Sequence, residues 1–346
     1  MATTDTQRAG NTRGPRSIRL TDGDDRRNEL LAKLVVSAAL APSSHNTQPW
    51  RFDIHGGDLE LYADRSRRLP MVDPCGRELI MSCGAALQNI RVALRHYGYA
   101  GDVEIFPEGI RVDLLARVRP GDRHISSALD DMLFAAILNR QTNRERFHSL
   151  TPQASLIPAL RQAAEMEGAW IETISDGAQR MAIADLVAEG DRVQGADPAI
   201  RREIAAWVHR NGSDRPDGIP VHSFGVPHLL SLVGPMVVRY APWGSSQAKR
   251  DRALALEAPI LLVLGTPGDT PRDWLAAGQA LQKVLLVATT QGVSASFLNQ
   301  PLQVADLRAR LRAAVDGPGA PQLVIRMGYG PDARPTPRRA MHDVLV

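Results

Sequence analysis

The sequence predicts an α+β protein made of two tandem copies of one unit, and two observations carry that reading. Helical and strand-like stretches alternate along the 346 residues. The helices keep their apolar residues on one side, a pattern that gives α+β or α/β architecture. Two of these helices also share wording. Gly84, Ala86, Leu87, Gln88 and Gly98 recur as Gly278, Ala280, Leu281, Gln282 and Gly292, each 194 positions further on. Small residues at helical spacing let a helix lie close to a neighbour, and the later glycine ends it.

The elements follow in order. Residues 1–27, rich in Thr, Asp, Arg and Gly, read as a flexible N-terminal tail. A helix runs from Asn28 to Leu40, with Leu30, Leu31, Leu34, Val35 and Ala38 on its apolar face. Strands at Arg51–Ile54 and Leu59–Tyr62 flank a turn at Gly56-Gly57, and Asp73-Pro74-Cys75-Gly76 opens a helix reaching Tyr97. Strands at Val103–Phe106 and Val112–Val118 complete a first half, residues 28–125.

The second half, residues 126–346, opens with a helix over Ser126–Asn139 and a polar exit, Arg140–Phe147. Helices at Pro158–Glu167 and Gln179–Glu189 enclose a strand at Trp170–Ile174. Residues 211–228 carry Gly212, Pro216, Gly218, Pro220, Gly225 and Pro227, a breaker density that marks a long, lid-like insertion. Further on come a buried strand at Ile260–Leu264, a helix at Trp274–Gln291 and a strand at Val293–Leu298. A helix at Val304–Val315 and a strand at Leu323–Met327 close the unit.

Composition narrows the function classes. Hydrophobic content of 44% supports a sizeable core, and a formal charge of only +3, without a basic run carrying interleaved aromatics, argues against nucleic acid as a partner. Cys75 and Cys83 are the only cysteines and have no metal-ligand spacing. No stretch approaches the ~20 apolar residues of a membrane span, and residues 1–27 lack an apolar signal core. A cytoplasmic protein without membrane attachment is expected.

One loop concentrates hydrogen-bonding groups: Ala41-Pro42-Ser43-Ser44-His45-Asn46-Thr47-Gln48-Pro49-Trp50. Pro42 and Pro49 prevent helix or central strand from running through it. The corresponding Ala-Ala/Trp frame of the second copy, Ala164 to Trp170, holds only Glu165 to Ala169. The polar loop therefore survives in one copy alone. Asn139-Arg140-Gln141-Thr142-Asn143-Arg144 opens the second copy with side chains suited to an anion. His45 has no Cys or acid spaced for a triad or metal site, so loop hydrogen bonding is its expected role. Gly328-Tyr329-Gly330 has no helix after it and implies no dinucleotide fold.

The stretches APSSHNTQPWRF (41–52), GREL with CGAAL (76–87), NRQTNRERF (139–147), DGIP (217–220) and TPRRAMHDVL (336–345) resemble the Acg family. This is an actinobacterial branch of tandem-fused, nitroreductase-like FMN-binding proteins. The resemblance implies a nitroreductase-like fold whose fused halves form an intramolecular pseudo-dimer, so that a monomer is a plausible working unit. With one polar loop missing, it implies a single FMN at the interface. Ser43, Ser44, His45, Asn46 and Gln48 would meet it from the first copy. Arg140 and Thr142 would serve the phosphate and ribityl side, and Arg338 and Arg339 would close over the phosphate. Arg144 would lie by the pyrimidine end of the ring, and the backbone of Leu298, Asn299 and Gln300 near its hydride-accepting nitrogen.

Two functions follow from the resemblance. The first is an FMN oxidoreductase taking hydride from NAD(P)H and passing it to a small electrophile, a nitroaromatic or quinone, with no catalytic side chain obligatory. The second is a flavin storage or sequestration protein whose lid, residues 211–228, covers the ring.

Overall fold

The computed structural model describes residues 22–109, 113–221 and 234–346. The expected tail over residues 1–21, the start of the strand at Val112 and the 222–228 part of the insertion lie outside them. In the first half, α1 (Asp22–Ala39) leads through a 3₁₀ turn at Ser44–Asn46 to β1 (Trp50–His55) and β2 (Asp58–Ala63). Next come α2 (Arg77–His96), β3 (Tyr99–Ile105) and β4 (Leu114–Arg123). The tail expected through Arg27 is thus shortened. Helix already begins at Asp22, and Arg27 is tied down, its Nε donating to the Gly57 carbonyl at 2.7 Å.

α3 (Ala128–Asn139) bridges the halves; Ser127 and Asp130 cap it reciprocally, satisfying its first orphan N–H groups. The second half holds α4 (Leu156–Glu165), β5 (Trp170–Thr173), α5 (Gly177–Ala196), α6 (Pro198–Trp207), β6 (Val208–His209) and β7 (Ile219–Pro220). It continues with α7 (Gly234–Tyr240), α8 (Gly244–Glu257), β8 (Ile260–Thr266) and α9 (Pro271–Thr290). β9 (Ser294–Phe297), α10 (Ala305–Ala314), β10 (Ala320–Gly328) and α11 (Met341–Val344) finish it. Asp197 ends α5 and caps α6, with Pro198 in the first helical turn, where its missing N–H is harmless. α6 and α8 were not anticipated from the sequence. α8 is charged on most faces, and only Gly244, Ala248, Asp251, Leu254 and Ala255 are buried, so its apolar periodicity is faint.

The two sheets have the same plan. One runs β1-β2-β4-β3 and the other β5-β8-β10-β9, antiparallel throughout. β1 and β2 join through the Gly56-Gly57 turn, both glycines at positive φ. Their counterparts β5 and β8 are separated by α5 to α8, so the second half carries its insertion where the first has a tight hairpin.

α2 and α9 cross between the sheets at almost backbone contact. A Cβ on Gly84 would sit 2.2 Å from the Leu275 carbonyl oxygen, and one on Gly278 would sit 2.0 Å from that of Met81. The exchange is reciprocal, because Leu275 is buried in the first half's core while Met81 is buried in the second's. Neighbouring polar groups pair across the crossing, Gln282 Nε2 donating to Asn89 Oδ1 at 2.6 Å. Two crossover segments complete the join. The C-terminus pairs with the free edge of β1, Val346 N–H donating to the Phe52 carbonyl at 2.9 Å. Residues 142–143 pair with the free edge of β9 at Ala295.

Overpacking a filled contact costs about 1–3 kcal/mol. Gly84→Ala and Gly278→Ala are each expected to lose that much stability in urea unfolding. Gly177→Ala, at a helix start with open space around it, should stay near wild type.

Candidate functional site

The polar loop is held in an unfavourable backbone. His45, Asn46 and Gln48 all have φ between 50° and 54°, a left-handed region that costs non-glycine residues on the order of 1 kcal/mol or more each. Hydrogen bonds hold it there. The Gln48 N–H donates to Ser43 Oγ at 2.9 Å, and Gln48 Nε2 donates to the Pro216 carbonyl at 2.8 Å. Asn46 is bonded on every side: its Nδ2 donates to the carbonyls of Gly218 (2.9 Å) and Pro337 (3.0 Å), and its Oδ1 accepts from Arg338 (3.0 Å). The Gly218 N–H returns a bond to the Asn46 carbonyl at 3.1 Å. One asparagine therefore ties together the loop, the insertion and the C-terminal tail.

Behind this loop lies a cleft of about 610 Å³, counting the solvent at its mouth. The first half supplies Ser43, Ser44, Asn46, Glu78, Met81 and Ser82, and the second supplies Thr142, Arg144, Leu281, Phe297, Asn299 and Leu323. Thr336 and Arg338 of the tail close it. Seven residues singled out from the sequence thus meet there: Ser43, Ser44, Asn46, Thr142, Arg144, Asn299 and Arg338.

Arg338 lines the cleft, and Arg140, which does not line it, converges with Arg338 at one backbone carbonyl. Arg140 Nη2 and Arg338 Nη2 both approach the Leu40 carbonyl, at 3.5 and 3.4 Å. Burial holds both below the usual arginine range, Arg140 at about 9, with Arg338 as its second cause, and Arg338 at about 10. Neither has a carboxylate partner among the described residues, and the Nε of each is buried with no acceptor. Two cations taken from water without a counter-ion cost on the order of several kcal/mol. The pair is suited to an anion with several oxygens, which a guanidinium grips through paired N–H groups.

Elsewhere in the cleft stands a carboxylate the sequence reading passed over. Glu78, in the first turn of α2 and 3% exposed, accepts from Ser44 Oγ at 2.5 Å and from Gln303 Nε2 at 2.8 Å. Its position within the GREL wording was the available signal. Ser44 spends its only proton on Glu78, so toward a ligand its oxygen can only accept.

Other residues singled out from the sequence are placed beside the cleft. Gln48 is fully buried, its Oε1 accepting from the Arg339 N–H at 2.8 Å, and Arg339 donates to the Gln48 and Trp50 carbonyls. These two fasten the tail to the loop. Burial lowers the pKa of His45, whose Nδ1 is enclosed without a partner among the described residues. Leu298 lies in the core with its N–H already given to the Val324 carbonyl at 2.9 Å, so it has no donor to offer a ligand. Asn299 Oδ1 accepts from the Val324 N–H at 3.0 Å. The Gln300 side chain turns away, its Nε2 donating to Asp191 (3.1 Å) and Asp251 (2.8 Å).

The insertion is fastened across the loop. Asp217, 8% exposed, is ion-paired with Arg67 of the first half and accepts from Arg215 Nε at 3.2 Å. Gly218 is at positive φ, and a Cβ there would strike His209 Nε2 at 2.2 Å, so the turn needs glycine. Among the described residues no helix is long and apolar enough to cross a membrane, and no cluster of three or more His, Cys, Asp or Glu could hold a metal.

Two four-stranded sheets of one plan around a helix crossing, with a polar cleft shared between the halves, define the class: a two-half α+β protein with an interfacial cleft. The model of the nitroreductase family matches residues 162–329. Rv3131 of Mycobacterium tuberculosis, whose name is that of an NAD(P)H nitroreductase, is 33% identical over 329 residues, covering 92% of this chain and 91% of that protein. Acg of the same organism, similarly named, is 28% identical over 327 residues, covering 92% of this chain and 95% of that one. The chain belongs to the nitroreductase family. Among solved structures, the FMN and NADPH-dependent nitroreductase NfnB from sphigopyxis sp. strain HMH aligns with a TM-score of 0.41 at 17% identity. That alignment covers 61% of this chain and 96% of that one.

Asp191 gives a pH prediction. Burial, with Asp251 as the second cause, pushes its carboxyl up to about 8, and its Oδ2 is buried without a partner. The folded protein therefore holds this proton more tightly than the unfolded chain, whose carboxyl titrates near 4. The stability it contributes is full below that pH and is lost as pH rises through 8. Thermal melting of wild type should fall between pH 5 and 8, and Asp191→Asn should flatten that fall.

Proposed function

We propose that the chain is an FMN-dependent oxidoreductase binding one flavin in the cleft between its halves. NAD(P)H would be the electron donor, and a small electrophile such as a nitroaromatic or quinone the acceptor. The observation that carries this reading is the buried Arg140–Arg338 pair, whose orphaned N–H groups fit the phosphate of FMN. When bound, FMN supplies the ring that accepts and releases hydride. The names of Rv3131 and Acg support a nicotinamide donor.

This chain's residues would divide the binding between them. Arg140 and Arg338 hold the phosphate, with Thr336 and Thr142 nearby. Met81, Leu281, Leu323 and Phe297 offer apolar walls to a planar ring. Arg144 presents a positive charge, which favours developing negative charge on a reduced ring. The Ser44 oxygen, its proton committed to Glu78, accepts from a hydroxyl or ring N–H. A single site follows from asymmetry, because between α4 and β5 the second half has only Met166 to Ala169, with no counterpart of the Ser43–Gln48 loop. Tandem duplication with loss of one loop accounts for the two matching sheet plans and for a polar loop in one half only.

A second reading, flavin sequestration, is favoured by one observation. Residues 216–218 are clamped to the loop by Gln48, Asn46 and the Arg67–Asp217 pair, which would keep substrate from the ring.

Purified protein should hold one FMN per chain; two per chain, or none after reconstitution, would overturn the single-site reading. A charged hydrogen bond is worth about 1.5–3 kcal/mol, so Arg140→Ala and Arg338→Ala should each weaken FMN binding by about 10–100-fold in fluorescence titration. Mixing with NADPH and a nitroaromatic separates the two functions. Steady turnover removes sequestration. Slow flavin reduction, accelerated by Asp217→Ala at unchanged FMN content, would favour it over the reductase.

A further inference from the structure

Two buried carboxylates stand behind the cleft wall, outside the ligand-facing set. Asp191 of α5 is 2% exposed and Asp251 of α8 is 6% exposed. Their helices meet at almost backbone contact, since a Cβ on Gly195 would lie 2.4 Å from the Gly244 Cα. A Cβ on Gly190 would lie 2.7 Å from Gln300 Cβ, so close-packed chain encloses the acids on two sides. Gln300, next to the cleft residue Asn299, bridges them. Its Nε2 donates to Asp191 Oδ1 at 3.1 Å and to Asp251 Oδ2 at 2.8 Å, while Gln247 Nε2 donates to Asp251 Oδ1 at 2.9 Å. Two oxygens are left over. Asp191 Oδ2 and Gln300 Oε1 are both buried with no partner among the described residues, and both can only accept while the acid is ionised. One proton on Asp191 supplies the missing donor. Two acids joined by one amide also resist ionising together. Burial, with Asp251 beside it, accordingly pushes the Asp191 carboxyl up to about 8. The charged groups facing the pair are Arg192 at Asp191, and Arg250 and Arg326 at Asp251, with Glu145 beyond Arg326. The Asp251 carboxylate also favours the charged form of Arg144, which lines the cleft.

We propose that Asp191 and Asp251 hold a single proton between them and so set the reduction potential of the flavin through Arg144. The inference rests on the flavin reading above and adds to it two positioning residues that touch no ligand. With one proton, the pair carries one negative charge against the surrounding arginines, and Arg144 keeps a positive field for the reduced ring. When the proton leaves, a second negative charge appears behind Arg144, and the anionic reduced flavin loses that support. No proton passes from the pair to the acceptor; only the charge behind the wall changes.

The test is the midpoint potential of the FMN-loaded full chain at pH 7 and pH 9, in wild type and in Asp191→Asn. Asparagine fixes the site at the charge of the singly protonated pair, whatever the pH. Wild type and variant should agree at pH 7. At pH 9 the ratio of reduced to oxidised flavin, at a given applied potential, should be about tenfold lower in wild type, which is ~30 mV for a two-electron couple. Equal potentials at pH 9, or the same offset at both pH values, would overturn the proposal. A second measurement needs neither variant nor flavin. Infrared difference spectra of the flavin-free wild-type chain should lose a protonated-carboxyl band between pH 7 and pH 9, and absence of that band at pH 7 would equally defeat the shared proton. No uptake of FMN would remove the flavin reading and the proposal with it, whereas bound flavin with unshifted potentials removes the proposal alone.

Discussion

The contact between α2 and α9 governs everything built around it. Two helices can come this close only where neither carries a Cβ, and Gly84 and Gly278 supply that gap to each other. Leu275 and Met81 then reach across into the opposite cores, so neither half buries its apolar surface without the other. The halves are cores of one protein rather than beads on a linker. The crossing also fixes where the cleft can open. Glu78, Met81 and Ser82 from the start of α2 face Leu281 of α9 across it, so any loosening at the glycines would shift both walls.

A near-symmetric frame with a one-sided site needs devices that break the symmetry, and three are visible. The Ser43–Gln48 loop exists in one half alone. The C-terminal tail of the second half returns to the first, pairing at β1 and bringing Arg338 to the loop. The insertion between β5 and β8 reaches over the same loop through Pro216, Asp217 and Gly218. All three meet at Asn46 and its neighbours, and so the loop can keep three left-handed, non-glycine residues. The strain is local, and the bonds that oppose it come from distant parts of the chain.

Electrostatics gives the cleft a direction. Buried Arg140 and half-buried Arg338 have no acid partner among the described residues, while Glu78 is matched by Ser44, Gln303 and Arg77. Behind the wall, Gln300 bridges Asp191 and Asp251 rather than facing a ligand. Burial raises the pKa of both acids, and the Gln300 amide gives each of them a donor.

By itself the sequence determined the class of fold, most elements to within a few residues, and the repeat whose glycines turned out to touch. It also determined that the polar loop stands in one half only, because the short link is a fact of chain length between Ala164 and Trp170. These are legible because periodicity, prolines and repeated wording are local signals. The tertiary structure alone decided which polar side chains look into the cleft. Gln48 has a plausible chemical type and position in sequence, yet its amide binds the tail, and the side chain of Gln300 serves two acids. That Glu78 lines the cleft, and that Arg140 and Arg338 meet at the Leu40 carbonyl, was likewise decided by the fold. A side chain's partner depends on which distant atoms surround it, and spacing along the chain carries no record of that.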